Sequence, residues 1–264
     1  FVDLLMSLHV EILGVALCSV DSSLGKLERD SLPQQTLMEL LVEEIEHKSD
    51  WICGTDEDPK ELTEWRGVIL NSKKEVIEIS WFDSSTSGMA HIPNLHGRVN
   101  LQWIPPTTEI VVISTHFLKG EIDVSVLPRC LQTFNLFSNN LSGGLHLQYL
   151  PERILVFEVS QNNIEGTLEL DRLPVTLQCL GLSSNKFSGC VNLSHLPNAL
   201  EALYLSSNQL SGKVDLTHLP ESLSDLDLSK NAFVGEFVYD DLPVALVQLD
   251  ISETNLIGNL YVEK

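Results

Sequence analysis

A proline recurs every 23 residues through the C-terminal three-fifths of the chain, and no other feature constrains the fold as strongly. The seven copies are Pro105, Pro128, Pro151, Pro174, Pro197, Pro220 and Pro243. A fixed period of this length is typical of stacked repeats, in which each unit contacts mainly its neighbours. The period therefore predicts an elongated solenoid, and it directs the search for function to a surface rather than to a catalytic centre.

Each unit carries apolar residues at fixed distances after its proline, followed by an asparagine. After Pro174 these residues are Leu177, Leu180, Leu182 and Asn185. Leu180 and Leu182 are two residues apart, so both point to one face of a short strand. The asparagine amide can satisfy backbone groups that the following turn leaves unpaired, and stacked copies would form a ladder. The other copies are Asn139, Asn162, Asn208 and Asn231.

This L-x-x-L-x-L-x-x-N spacing recurs in one phase over about residues 76–264 and resembles that of leucine-rich repeat proteins. The L-S-G segments at Leu141–Gly143 and Leu210–Gly212 look like the plant-type subclass. The L-P-x-x-L opening is similar to repeats of protists, including trypanosomatids and euglenids. The resemblance implies an α/β solenoid, a curved leucine-rich repeat array with a parallel β-sheet on the concave face and a helical N-terminal cap.

The chain divides into three predicted regions. Residues 1–29 form an apolar N-terminal extension, residues 30–104 a cap helix and an irregular first repeat, and residues 105–264 seven 23-residue leucine-rich repeats. In the second region we expect a strand over Val76–Trp81, followed by a loop at Ser84–Gly88.

We predict the cap helix over residues 31–48. Pro33 suits its first turn, and Thr36 with Glu39 fits a capping box. One apolar stripe follows the helical period: Leu37, Leu40, Leu41 and Ile45.

A W-x-G-V segment that starts at Trp65 precedes the predicted strand. It resembles the N-terminal cap of plant-type repeat proteins, where a helix and such a segment lead into the first strand. That cap often carries paired cysteines. Here Cys53 is present, but Leu70 stands where the second cysteine would be expected.

The N-terminal extension begins with the apolar run FVDLLMSLHVEILGVALCSV. Asp3 and Glu11 interrupt the run and no basic residue precedes it, which disfavours a signal peptide and a membrane span. Two alternatives stay open. The segment packs on the rest of this chain, or it docks on another subunit.

Acidic residues outnumber basic ones by 37 to 16, which gives a net charge of −21. This charge disfavours binding to nucleic acid and to anionic membrane surfaces, and it suits either solubility or a basic protein partner. The five cysteines are odd in number, and those in the repeats fall at different positions. They favour a reducing compartment, cytoplasmic or organellar, over a disulfide framework.

Two columns of side chains are expected to project from the exposed face of the stacked strands, the usual interaction surface of this architecture. The central column varies from unit to unit: Val112, Asn135, Glu158, Gly181, Tyr204, Asp227 and Asp250. The serine column, two residues later, is nearly constant: Ser114, Phe137, Ser160, Ser183, Ser206, Ser229 and Ser252. Its serines are interpreted as consensus filler.

The two halves of this face differ in chemistry. Phe137 makes the N-terminal half apolar together with Ile110, Val112 and Val156. The C-terminal half is acidic, with Tyr204 at the border and five carboxylates: Glu201, Asp225, Asp227, Asp250 and Glu253. An apolar patch beside an acidic one suits a protein partner that presents hydrophobic and basic groups.

We therefore predict a non-catalytic protein–protein interaction or scaffolding module. The residues expected to contact the partner are Val112, Asn135, Phe137, Glu158, Tyr204, Asp227 and Asp250. One alternative is a structural subunit of a large assembly, held by its N-terminal helix and outer surface. Another is an extracellular receptor ectodomain, which predicts glycans on Asn140 or Asn192.

The sequence contains no phosphate-cradling glycine loop, no nucleophile elbow and no Cys/His cluster with metal-ligand spacing. We accordingly expect no enzymatic activity and no cofactor. One outer repeat position holds Arg172, His195, His218 and Asp241 in successive units. These four side chains are expected to form an exposed ladder rather than a metal site.

Overall fold

We describe a computed structural model of the chain, which covers residue 29 and residues 31–55, 58–82 and 94–259. The apolar extension, apart from Arg29, and the predicted loop at Ser84–Gly88 lie outside the described residues. No helix within the described ranges has the length and apolar character needed to cross a membrane.

The segment after each proline is a tight turn that leads into a strand. In the unit of Pro174, the Leu177 amide donates a hydrogen bond to the Pro174 carbonyl at 3.1 Å, and the other prolines make the same contact. The strands form one sheet, which we call the concave sheet. In spatial order its strands are Gln248–Asp250, Asp225–Asp227, Ala202–Tyr204, Cys179–Gly181, Val156–Glu158, Thr133–Asn135, Ile110–Ser114, Val76–Phe82 and Val68–Leu70.

The inward residues of these strands stack in register to form the core. Leu180 lies between Phe157 and Leu203 in the sheet, and all three side chains are fully buried. The rings of Phe134 and Phe157 stack with their centroids 5.3 Å apart. Because every such residue is covered by the same position of its neighbours, stability belongs to the array rather than to a single unit.

The predicted asparagine ladder is confirmed. Asn185 accepts a hydrogen bond from the Ile164 amide at 3.0 Å, and its Nδ2 donates to the Val159 carbonyl at 3.0 Å and the Leu182 carbonyl at 3.2 Å. The residue before it, Ser184, has a left-handed backbone with φ of 54°. The same arrangement recurs at Asn139, Asn162, Asn208 and Asn231.

His116 takes the ladder position in the first regular repeat. Its side chain is buried, its Nδ1 accepts from the Leu95 amide at 3.3 Å, and its Nε2 lies 3.2 Å from the Trp81 carbonyl. Acceptance at Nδ1 leaves the proton on Nε2, where it can be donated to the carbonyl. The imidazole therefore performs in this unit the task that an amide performs in the others.

A second sheet runs along the solenoid, and the sequence pattern did not predict it. In spatial order its strands are Ile45–Glu46, His96–Arg98, Phe117–Glu121, Asn140–Gly144, Asn163–Gly166, Lys186–Gly189, Gln209–Lys213, Ala232–Val238 and Asn255–Asn259. The glycine of each L-S-G segment lies opposite a buried apolar residue of the next unit, as Gly212 lies opposite Phe233. Gly212 has φ of 85°, and a β-carbon there would meet the Cys190 sulfur at 2.4 Å. Both facts favour glycine at this position.

The cap helix is shorter than predicted: it spans Gln34–Val42, with Pro33 as its N-cap residue. The predicted capping box is wrong, because no side chain caps the helix and Glu39 accepts a hydrogen bond from Gln35 instead. The buried face of the helix consists of Leu37, Met38, Leu41 and Val42. Ile45 is buried too, but it lies in the short strand Ile45–Glu46.

Short turns complete the described chain. A π-helical turn covers Ser49–Cys53, and 3₁₀ turns cover Leu62–Glu64, Leu101–Trp103, Val124–Val126, Leu147–Tyr149 and Tyr239–Asp241. At the N-terminal side both sheets end in a short antiparallel strand, Val68–Leu70 in the concave sheet and Ile45–Glu46 in the second sheet. These strands cover the sheet edges, which would otherwise expose unpaired backbone groups.

Candidate binding surface on the concave sheet

The central column lies in one register across the concave sheet. Glu158 pairs with Gly181, Gly181 with Tyr204, and Tyr204 with Asp227. The row continues to Asp250 at one end, and through Asn135 to Val112 at the other. The side chains that alternate with these residues are buried in the core, so the central column projects from the opposite face of the sheet.

Four members of the central column also cap the backbone. Asn135, Glu158, Asp227 and Asp250 each accept a hydrogen bond from the amide two residues later, at 2.6 to 3.0 Å. Asp227 also accepts from the Ser229 hydroxyl at 2.7 Å. The hydroxyl and amide of Ser252 lower the pKa of Asp250 by hydrogen bonding to its carboxylate. These side chains are therefore held in place before any partner arrives.

Four serines of the serine column, Ser160, Ser183, Ser206 and Ser229, make hydrogen bonds within the fold and are not filler. Ser160 and Ser229 are buried, and the hydroxyls of Ser160 and Ser183 accept hydrogen bonds from the next unit. The Ser183 amide donates to Ser160 Oγ at 3.0 Å, and the Ser206 amide donates to Ser183 Oγ at 3.1 Å. These hydrogen bonds give serine a structural task at Ser160 and Ser183.

The predicted apolar half of the face is half-buried. Ile110, Val112 and Val156 lie in the strands, while Phe137 follows the strand Thr133–Asn135 and is also half-buried. The Phe137 amide donates to Asn135 Oδ1 at 2.9 Å, which fixes the backbone below the ring. Part of each apolar side chain is thus available to another molecule.

Burial and nearby carboxylates raise the pKa values of Cys179 and Tyr204. Burial, followed by the charges of Glu158, Asp225 and Glu201, raises the pKa of Cys179 to about 11. Burial also raises the pKa of Tyr204, with further contributions from Asp225, Cys179, Glu158 and Asp227. Burial disfavours charge of either sign, whereas the carboxylates that contribute to both shifts, Glu158 and Asp225 among them, favour positive charge in a ligand.

Glu158 lies on the strand next to that of Gly181, on the apolar side of the border at Tyr204. Its carboxylate lies over Gly181, where a β-carbon would stand 1.9 Å from Oε2. The glycine therefore provides the space into which this side chain folds. Farther along, Lys230 approaches Glu253 at 4.0 Å, but both side chains are largely exposed, so this pair offsets little of the acidic charge.

The side chains at the outer repeat position, Arg172, His195, His218 and Asp241, are exposed, and we call them the outer column. His195 Nδ1 lies 3.0 Å from the Ser194 hydroxyl, and His218 Nδ1 lies 2.8 Å from the Thr217 hydroxyl. Among the described residues, no three His, Cys, Asp or Glu side chains are grouped so that they could hold a metal ion.

Known structures share this arrangement of stacked units. The ectodomain of the plant membrane receptor kinase GASSHO1/SCHENGEN3 from Arabidopsis thaliana, in complex with CASPARIAN STRIP INTEGRITY FACTOR 2, superposes with a TM-score of 0.61 at 22% identity. The match covers 84% of this chain and 27% of that one. The structure of PEPR1–AtPEP1 gives a TM-score of 0.55 at 19% identity over 86% of this chain and 35% of that chain.

The chain has the leucine-rich repeat fold. The match covers only about a third of the PEPR1–AtPEP1 chain and about a quarter of the GASSHO1/SCHENGEN3 chain. A scan of protein-family models and a search of curated proteins find no match to its sequence. The stacked solenoid predicted from the proline period and the leucine-rich repeat fold implied by the family resemblance are confirmed, whereas the role of each central-column residue stays a prediction.

Proposed function

We propose that this leucine-rich repeat protein is a non-catalytic protein-interaction module that binds through the concave sheet. The observation that carries the proposal is the central column itself. Its residues differ from unit to unit, whereas the flanking serine column is nearly constant and engaged in the fold. Variation in an outward row beside a nearly constant one suits a recognition surface, because the scaffold beneath the row needs no such variety.

The chemistry of the surface defines the kind of partner. The apolar half offers Phe137, Val112 and Val156, and the acidic half offers Asp225, Asp227 and Asp250. The partner is therefore a polypeptide with a hydrophobic anchor beside lysine or arginine residues. The GASSHO1/SCHENGEN3 ectodomain was solved in complex with another molecule, which supports ligand binding as a use of this fold.

The experiment must separate lost charge from lost structure. Asp227→Asn keeps an oxygen to accept from the Ser229 amide and hydroxyl, and Asp225→Asn and Asp250→Asn remove two more charges. The matched control removes three exposed carboxylates away from the sheet: Glu152→Gln, Asp171→Asn and Asp240→Asn. The immobilised protein and both triple variants are used to capture partners from the source organism.

Proteins captured by the wild type and the control variant should be lost from the concave variant. Equal capture by all three proteins would exclude the acidic half as the binding surface. A separate variant, Phe137→Ala, tests the apolar half in the same assay.

We also propose an intracellular location. It predicts that the protein isolated from its source carries no glycan on Asn140 or Asn192.

A further inference from the structure

Phe137 and Asp227 lie four units apart on the concave sheet, and the strands between them keep one register. The paired strand positions that connect the two ends are Asn135, Glu158, Gly181, Tyr204 and Asp227. Neighbouring strands of a sheet are roughly 4.8 Å apart, so the two ends are separated by roughly 19 Å. Because every unit between them has the same length, the fold fixes this distance.

The Asp227 end of this row suits a cation. Tyr204 pairs with Asp227 and Ala202 pairs with Asp225, so both carboxylates belong to the strand next to the tyrosine. The Tyr204 side chain is half-buried; burial raises the pKa of its hydroxyl, and the charges of Asp225 and Asp227 raise it further. An ammonium or guanidinium group against this ring would meet an aromatic face and two carboxylates, and all three favour positive charge.

The Phe137 end suits an apolar side chain. Phe137 takes a position that is serine in the neighbouring units, at Ser114 and Ser160. Its side chain is half-buried, as are those of Val112 and Val156. The exposed part of the ring therefore offers one apolar contact at a defined place on the sheet.

Two carboxylate oxygens of the row accept no hydrogen bond from the described residues. Asp227 Oδ1 accepts both hydrogen bonds from Ser229, and Glu158 Oε1 accepts the one from the Ser160 amide. The second oxygen of each carboxylate is left to accept from another molecule. The N–H groups of an extended chain need such acceptors, whereas a helix satisfies most of its own N–H groups. The row therefore favours an extended occupant.

We propose that the concave sheet selects an extended peptide in which a large apolar residue and a lysine or arginine lie about six positions apart. The apolar residue contacts Phe137, and the cation lies against Tyr204 and Asp227. An extended chain advances roughly 3.3 Å per residue, so a span of roughly 19 Å takes about six residues. A helix advances roughly 1.5 Å per residue and would take about thirteen. The spacing rests on the proposed function, because only a chain bound along the concave sheet would reach both ends.

Selection from a library of random peptides long enough for either spacing tests the proposal. Peptides enriched by the wild-type protein should carry the basic residue about six positions from the large apolar one. A preferred separation of about thirteen positions, or no preferred separation, would overturn the spacing and leave the proposed function in place. Enrichment of peptides that lack basic residues would contradict the proposed function, and the spacing with it.

Variants of Phe137 show whether this ring sets the separation. Phe137→Ser restores the residue of the neighbouring units, so we expect it to fold, to keep enriching basic peptides and to lose the preferred separation. The matched control is Phe117→Ser, which changes an exposed phenylalanine in the second sheet and should leave the separation unchanged. A retained separation in Phe137→Ser, or the same loss in Phe117→Ser, contradicts the proposal.

Moving the ring should move the separation. Phe137→Ser combined with Ser183→Phe places the ring two units nearer to Asp227, and the preferred separation should fall to about three positions. The unfolding midpoint of this double variant shows whether the repeats remain intact. If the double variant folds and still prefers the wild-type separation, the proposal is wrong; if it does not fold, Phe137→Ser alone decides.

Discussion

The carboxylate of Glu158 occupies the space above Gly181, where a β-carbon would stand 1.9 Å from Glu158 Oε2. The two residues are paired on adjacent strands, and Glu158 Oε1 accepts from the Ser160 amide at 2.6 Å. One side chain thus caps its own strand end and covers the next unit. This contact lies on the apolar side of the border at Tyr204.

Replacing Gly181 should therefore act through Glu158. Gly181→Ala is expected to push the carboxylate off the Ser160 amide and to lower the free energy of unfolding by about 1–2 kcal/mol. In a Glu158→Ala background the same change should have almost no effect, because the clash is gone. Chemical denaturation of the four proteins in this cycle measures the coupling. Additive effects of the two substitutions would show that the residues do not interact.

Replacing Asp227 with alanine should lower the stability of the fold more than replacing it with asparagine. Asp227→Ala removes the acceptor for the Ser229 amide and hydroxyl, and is expected to destabilise the fold by about 1–2 kcal/mol. Asp227→Asn keeps an oxygen acceptor and should cost under about 0.5 kcal/mol. Denaturant titrations of the two variants decide the matter. If asparagine proves as damaging as alanine, charge rather than hydrogen bonding explains the residue's role in the fold.

The buried imidazole of His116 should be only partly replaceable. His116→Ala leaves the Leu95 amide and the Trp81 carbonyl without this partner, and we expect a loss of about 2–3 kcal/mol. His116→Asn restores the acceptor for the Leu95 amide, as asparagine does in the later units, and should recover about half of that loss. The measurement is the unfolding free energy of both variants. If both variants lose the same unfolding free energy, the hydrogen bond from the Leu95 amide does not contribute to the stability that His116 provides.

The raised pKa of Cys179 predicts a specific pH dependence. Burial and nearby carboxylates raise the pKa from 9.0 to about 11, so between these values only the unfolded chain loses the thiol proton. The stabilising contribution is complete below pH 9 and is lost as the pH rises towards 11.

Alkylation followed by peptide mass spectrometry tests this environment, because the thiolate is the reactive form. At pH 9.5 Cys179 should react slowly, and Glu158→Gln should accelerate its reaction by lowering the pKa. Glu165→Gln, an exposed change in the second sheet, should have no effect. If Glu158→Gln leaves the alkylation rate of Cys179 unchanged, the Glu158 carboxylate does not raise the pKa of this thiol.

The sequence predicts the structural features that recur in every 23-residue unit. The spacing of Leu180, Leu182 and Asn185 predicts the strand, its buried face and the ladder, because each task is local and recurs in every unit. The register of the central column follows from the same spacing. What the period could not show is that Glu158 folds onto Gly181, since that contact depends on the residue types of two particular units.

Other features escaped prediction because tertiary pairing decides them. Ile45 fits the helical stripe of residues 37–41, yet Ile45–Glu46 pairs with His96–Gly97 and the helix ends at Val42. The second sheet was missed because segments such as Gln209–Lys213 contain a glycine and few apolar residues, which is typical of turns. The glycine instead permits the left-handed backbone that lies opposite the next unit's core residue.

Selection from a random peptide library measures the central claim most directly, because the natural partner does not have to be identified first. The full-length protein should enrich peptides in which lysine or arginine residues accompany an aromatic or large aliphatic residue. Enrichment should disappear for the variant carrying Asp225→Asn, Asp227→Asn and Asp250→Asn, and persist for the control carrying Glu152→Gln, Asp171→Asn and Asp240→Asn. Enrichment of peptides without basic residues, or equal enrichment by both variants, would contradict binding through the acidic concave surface.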